Sequence, residues 1–75
     1  MWLKLKNAHG HNDGTMINTD NLVSVYFGET EDVDNVRMYP LHYRSVSDDV
    51  FTECFLTPHG QMQRMEEVQK MLRAV

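Results

Sequence analysis

The chain is poor in the features that usually betray a small protein's stability or chemistry. It has one cysteine, Cys54, which excludes an intrachain disulfide, and no apolar run approaching the roughly 20 residues of a membrane-spanning helix. A lone cysteine without a disulfide framework suits a reducing compartment, so a cytoplasmic location is expected. No basic segment running into an apolar one follows Met1, so neither secretion nor membrane anchoring is expected. Basic residues are also scarce: seven Lys and Arg against eleven Asp and Glu give a net charge of −4. That balance argues against direct nucleic-acid binding through phosphates and leaves a protein partner with a basic groove open.

Seventy-five residues make one domain, and a chain of that size buries only roughly 60–65% of the surface its unfolded form exposes. Small domains supplement such a core with disulfides, a metal or association. With a disulfide excluded, a metal, a partner or self-association is left, and the shortage of core together with a strand at 50–56 that is largely apolar on both faces makes a homo-oligomer the expectation.

What the chain does have is alternation. Leu3 and Leu5 fall on one side of an opening strand, with Lys4 and Lys6 on the other. The run Ala8 to Gly14 collects Gly, Asn, Asp and His, residues that accept turn conformations, so a hairpin follows. Asn18-Thr19-Asp20-Asn21 interrupts the next β-pattern with side chains that compete for backbone hydrogen bonds, and predicts a local 3₁₀ turn. Strands are predicted at about 2–7, 15–18, 22–28, 36–43 and 50–56, separated by an acidic loop at 29–35 and a second loop at 45–49. Pro40 cannot donate to a ladder, so its strand is expected at an edge, bulged or broken. The strand at 50–56 is largely apolar on both faces and needs cover on both.

Thr57-Pro58 is a helix-start signal, although Gly60 weakens an early start, and the helix is placed at about 60–74. Met62, Met65, Val68, Met71, Leu72 and Val75 form its apolar stripe, with Arg64 among the residues around the remainder. The expected fold is α+β: a four- to five-stranded antiparallel sheet or small open β-barrel with one C-terminal amphipathic helix.

Candidate chemistry is sparse. His9, His11 and Asp13 sit close together, and His42, His59 and Cys54 lie elsewhere, but the four-ligand spacing of a structural zinc site is absent. Cys54, between Glu53 and Phe55, reads as a small core residue rather than a nucleophile. There is no phosphate loop, nucleophile elbow or His-Glu-x-x-His helix, so neither an enzyme nor a bound cofactor is expected.

Two clusters remain. Glu29, Glu31, Asp32 and Asp34 offer four carboxylates that could enter a basic groove on a partner protein, with Asp48, Asp49 and Glu53 able to extend that surface. Arg37, Tyr39 and Tyr43 share one strand face, where an arginine could hold a phosphate and tyrosines could stack a base. A solvated loop is the plainer reading of the first cluster, and an aromatic core or interface face that of the second.

The run Trp2-Leu3-Lys4-Leu5, a Gly-containing turn, and Ile17-Asn18-Thr19-Asp20-Asn21-Leu22-Val23-Ser24-Val25 resemble small bacterial and prophage proteins related to the flagellar-operon FlbD family. Met65 to Leu72 loosely matches the short acidic-basic helix that ends those proteins, whereas the middle of the chain departs from them. The resemblance implies a small β-rich fold and a bacterial or phage origin, with the host cytoplasm as the location if phage-encoded. It carries no catalytic residue to any position. The leading expectation is a non-catalytic interaction protein that binds or inhibits a protein partner through the acidic loop. The alternatives are a nucleotide or small-anion binder using Arg37, Tyr39 and Tyr43, and a flagellar-type accessory protein.

Overall fold

The computed structural model of the chain describes residues 1–9 and 11–73 and has the expected α+β architecture. In chain order the elements are β1 (Trp2–Lys6), β2 (Asn12–Asn18), a 3₁₀ turn (Thr19–Asn21), β3 (Leu22–Phe27), β4 (Glu31–Val33), β5 (Val36–Ser45), β6 (Val50–Phe55) and α1 (Pro58–Arg73). All strand pairs are antiparallel, and they divide into two sheets rather than one: β1 with β2, and a four-stranded sheet organised on β5.

The first sheet follows from its alternation. Leu3 lies opposite Ile17, and both are buried with Leu5, while Trp2 and Lys4 face solvent. Asn7 Oδ1 organises the connecting turn by accepting from the backbone amides of His9 and His11. The predicted interruption at Asn18–Asn21 is a single 3₁₀ turn, capped by Asn18, whose side chain accepts from the Asp20 amide. The hydroxyl and amide of Thr19 both donate to the Met1 carbonyl, at 3.0 and 2.9 Å, tying the chain's start to the turn.

β5 is the spine of the second sheet. β3 and then β4 run along one edge, and β6 along the other. Pro40 therefore sits in a central strand, and the expected disruption appears in its neighbour. Gly28 donates its amide to the Pro40 carbonyl at 3.0 Å, and the ladder is interrupted at 28–30 between β3 and β4. The missing proline N–H thus falls where the adjacent strand breaks. Gly28 is required by close approach, since a Cβ there would run into the His42 ring and stand 2.9 Å from Pro40 Cγ.

The acidic loop at 29–35 is partly strand. Val33 pairs with Val36 around Asp34 and Asn35, whose φ angles of 51° and 64° are those of a type I′ hairpin turn. Asp and Asn tolerate that left-handed region better than most residues. Their turn character was visible in the sequence, but a short, highly charged strand beside them was not.

Helix α1 begins at Pro58 rather than near residue 60. Thr57 Oγ1 accepts from the Gly60 amide at 3.0 Å, and this cap outweighs the cost of an early glycine. The predicted end at 74 and Val75 lie outside the described residues. Met65 and Val68 join Leu3, Leu5, Ile17, Leu41 and Tyr43 in the core, with Met71 and Leu72 half-buried against it. Met62 departs from the expected stripe and is 56% exposed, while Arg64, expected among the helix's outer residues, is buried.

Candidate functional site

The four acidic residues singled out by the sequence lie on the arm formed by β4 and β5. Glu29, Glu31, Asp32 and Asp34 are exposed, as is every residue from Glu29 to Arg37. Strand pairing and the type I′ turn hold Glu31, Asp32 and Asp34 on regular backbone instead of a slack loop, while Glu29 lies in the unpaired stretch just before β4. Asp32 Oδ1 accepts from Arg37 Nε at 3.2 Å, and this hydrogen bond and charge hold the guanidinium pKa above its ordinary value. Among the described residues, Glu29, Glu31 and Asp34 form no salt bridge. Val33 and Val36 flank the turn and are 46% and 44% exposed.

The suggested extension of this surface does not form as read. Asp48 and Asp49 belong to the β5–β6 loop, where Asp48 pairs with Arg44 at 3.7 Å and Asp49 accepts from Ser47. Glu53 is fully buried.

Arg37, Tyr39 and Tyr43 share strand parity but not surroundings. Arg37 lies on the exposed arm beside Asp32, Tyr39 is half-buried opposite Phe55, and Tyr43 is completely buried. The Tyr43 hydroxyl donates to Glu53 Oε1, and burial, followed by that carboxylate, pushes its pKa up. These three side chains therefore present no common open face. Trp2 and Tyr26 are both exposed, Trp2 in the other sheet and Tyr26 beside His42 with ring centroids 5.2 Å apart.

Tyr43 instead belongs to a buried polar cluster that sequence reasoning missed. Glu53 Oε2 accepts from the Lys6 amide at 2.8 Å, and Arg64 Nε donates to Glu53 Oε1 at 3.1 Å. Arg64 Nη2 donates to Glu53 Oε2 at 3.1 Å and to the Lys4 carbonyl at 2.9 Å, while Nη1 reaches Glu67 at 2.7 Å. Burial alone would lower the Arg64 pKa, but the hydrogen bonds and charge of Glu53 leave it raised. The cluster joins β1, β5, β6 and α1. Its sequence signal was a glutamate between two phenylalanines, with an arginine beside Met65 on the helix.

An open groove of about 450 Å3 lies between the first sheet and the β5–β6 loop, lined by Trp2, Met16, Leu22, Val46 and Phe51 among others. Trp2, Met16 and Val46 are strongly exposed there. Every buried side-chain nitrogen and oxygen among the described residues has a hydrogen-bond partner, so none is left aimed unpaired into this groove.

Among the described residues, no three His, Cys, Asp or Glu side chains converge on a point that could hold a metal ion. Burial, then the charge of Glu31, pushes the half-buried Cys54 thiol above its ordinary pKa, opposite to what an activated nucleophile requires. Among the described residues, no helix is long and apolar enough to cross a membrane. Comparison with known proteins finds no family model, no curated protein and no solved structure that matches the chain.

Proposed function

We propose that the protein is a non-catalytic binding module that engages a protein partner with a basic surface, using the β4–β5 hairpin as its contact. The observation carrying this reading is the exposure of all residues from Glu29 to Arg37, on a backbone that is nonetheless regular from Glu31 onward. A partner meeting this arm pays little ordering entropy, because the ladder and turn already order the backbone. The carboxylates steer a basic partner during encounter, and Val33 and Val36 give the tip an apolar contact. A nucleotide-binding reading has less behind it, since Arg37 is paired with Asp32 and the Tyr43 hydroxyl is committed to Glu53.

The test uses the wild-type protein and the E29Q/E31Q/D32N/D34N variant as baits in extract of the source cells, with a photocrosslinking residue at position 33. The expected result is a protein captured by the wild type in a salt-sensitive manner, lost with the variant, and crosslinked at the hairpin tip. Equal capture by both baits removes the proposal.

A further inference from the structure

The strand edges of this fold are not equally protected. β1 carries Lys4 and Lys6, β2 opens with Asn12-Asp13-Gly14, and β4 carries Glu31 and Asp32. β6 has β1 beside it, with the Lys6 amide bound to Glu53. β3, Leu22 to Phe27, has no charged residue and no proline. It ends the strand order of its sheet and pairs only with β5 among the described residues. Charges, prolines and bulges are the usual means of blunting an edge. Here the one bulge, between Leu22 and Ser24, leaves the remainder regular.

The register identifies the groups on that open edge. The Gly28 amide bonds the Pro40 carbonyl, and the pairing continues evenly from Phe27–Leu41 to Ser24–Arg44. By antiparallel alternation, Ser24 and Tyr26 turn their backbone groups toward β5, while Val25 and Phe27 turn theirs away. Tyr26 is 41% exposed and Phe27 48% exposed. Helix α1 packs mainly on β5 and β6.

We propose that β3 pairs antiparallel with β3 of a second copy of this chain, about a two-fold axis at Tyr26. In that register, Val25 and Phe27 of the second copy form a pair exchanging both backbone hydrogen bonds, and symmetry repeats it. Tyr26 faces itself, Ser24 faces Gly28 and Val23 faces Glu29, so no like charges stand opposite each other. The antiparallel sense also sends the two acidic hairpins to opposite ends, with their tips on the order of 50 Å apart and the two Glu29 residues on the order of 20 Å apart by strand rise, both beyond the Debye length of about 8 Å at physiological salt. A parallel arrangement would set them side by side. An uncharged strand that matches itself about Tyr26 suits a second copy, whereas an acidic peptide laid along the same edge would bring further negative charge beside Glu29.

Light scattering or sedimentation equilibrium should give the wild type twice the 8.8 kDa chain mass. Tyr26→Lys, which sets two ammonium groups against each other at an exposed site, should give a folded monomer, and mixing it with Tyr26→Glu should restore the dimer. With Cys54→Ser as background, Tyr26→Cys should crosslink between copies under mild oxidation, because a non-hydrogen-bonded antiparallel pair brings Cα atoms to about 4.5 Å. Ser24→Cys in the same background, facing Gly28, should not crosslink. A wild type that stays monomeric at high concentration overturns the proposal, as does a dimer unaffected by Tyr26→Lys. Should Tyr26→Lys fail to fold, the cysteine pair decides, and a dimer without the Tyr26→Cys crosslink overturns the proposal.

Discussion

Two arginine–carboxylate pairs with nearly the same closest distance do opposite work in this molecule. Arg64 meets Glu53 at 3.1 Å with both side chains out of water, and Arg37 meets Asp32 at 3.2 Å with both more than half exposed. In water the ions are screened, and side-chain entropy opposes holding them together, so many such surface pairs contribute nothing measurable. In the interior each charge needs its partner, and losing either one alone is strongly destabilising. The first pair closes a junction between sheet and helix. The second leaves its arm free to meet something else. Distance therefore does not rank the two pairs, whereas burial does.

The largest test of that contrast is removal of one buried partner. Arg64→Ala should cost roughly 3–5 kcal/mol, the scale for breaking a buried ion pair, and urea denaturation should show partial or complete loss of the folded state. Replacing both with apolar residues, as in Glu53→Leu with Arg64→Met, should cost less than Glu53→Leu and Arg64→Met summed, because neither charge is stranded. A double mutant as costly as that sum would deny the pair its coupling.

Tyr43→Phe should cost roughly 1.5–3 kcal/mol, as expected for a hydrogen bond to a charged group. It also carries a pH signature. The Tyr43 pKa is raised in the fold, so its stabilisation is complete below the unfolded tyrosine value of about 10 and is lost as pH rises toward the folded value. Stability measured through alkaline pH should fall more steeply for the wild type than for Tyr43→Phe.

At the joint between the two regions, Gly28→Ala should cost roughly 1–3 kcal/mol, because the added methyl meets the His42 ring and Pro40. A smaller loss in the urea midpoint would mean that the His42 side chain, bonded to Thr52 at 2.8 Å, swings aside.

The smallest effect on stability belongs to the exposed pair. Asp32→Asn should leave the urea midpoint unchanged, and a clear drop would erase the contrast drawn between the two arginines.

Much of the scaffold was legible because local signals agreed with the final packing. The alternation of Leu3 and Leu5, the Asn18–Asn21 turn and the Thr57-Pro58 helix start all appear where their chemistry places them. The misreadings arose where a residue's partner lies far along the chain. Gly60 argued for a later helix start, but Thr57 caps that amide. Pro40 suggested a damaged or peripheral strand, but the gap at 28–30 lies opposite. Arg64 looked like an outer helix residue because nothing near it in sequence announces Glu53, eleven positions earlier, or the Lys4 carbonyl, sixty positions earlier.

The candidate surfaces divide in the same way. The carboxylates from Glu29 to Asp34 were visible as composition, and the hairpin geometry that orders Glu31, Asp32 and Asp34 follows from the positive φ of Asp34 and Asn35. Parity correctly aligned Arg37, Tyr39 and Tyr43, but parity records only which way a side chain points. It does not record whether another layer lies above, and β1 with α1 covers Tyr43 while leaving Arg37 bare.

By itself the sequence determined the α+β class, the Asn18–Asn21 turn and the start signal of the helix, because period, capping and turn chemistry act over a few residues, although the turn read at 8–14 gives way to β2 at Asn12. Only the tertiary structure decided which charges serve the fold and which face outward. The free energy of a charge depends on how much water surrounds it, and that is set by elements brought together from distant parts of the chain.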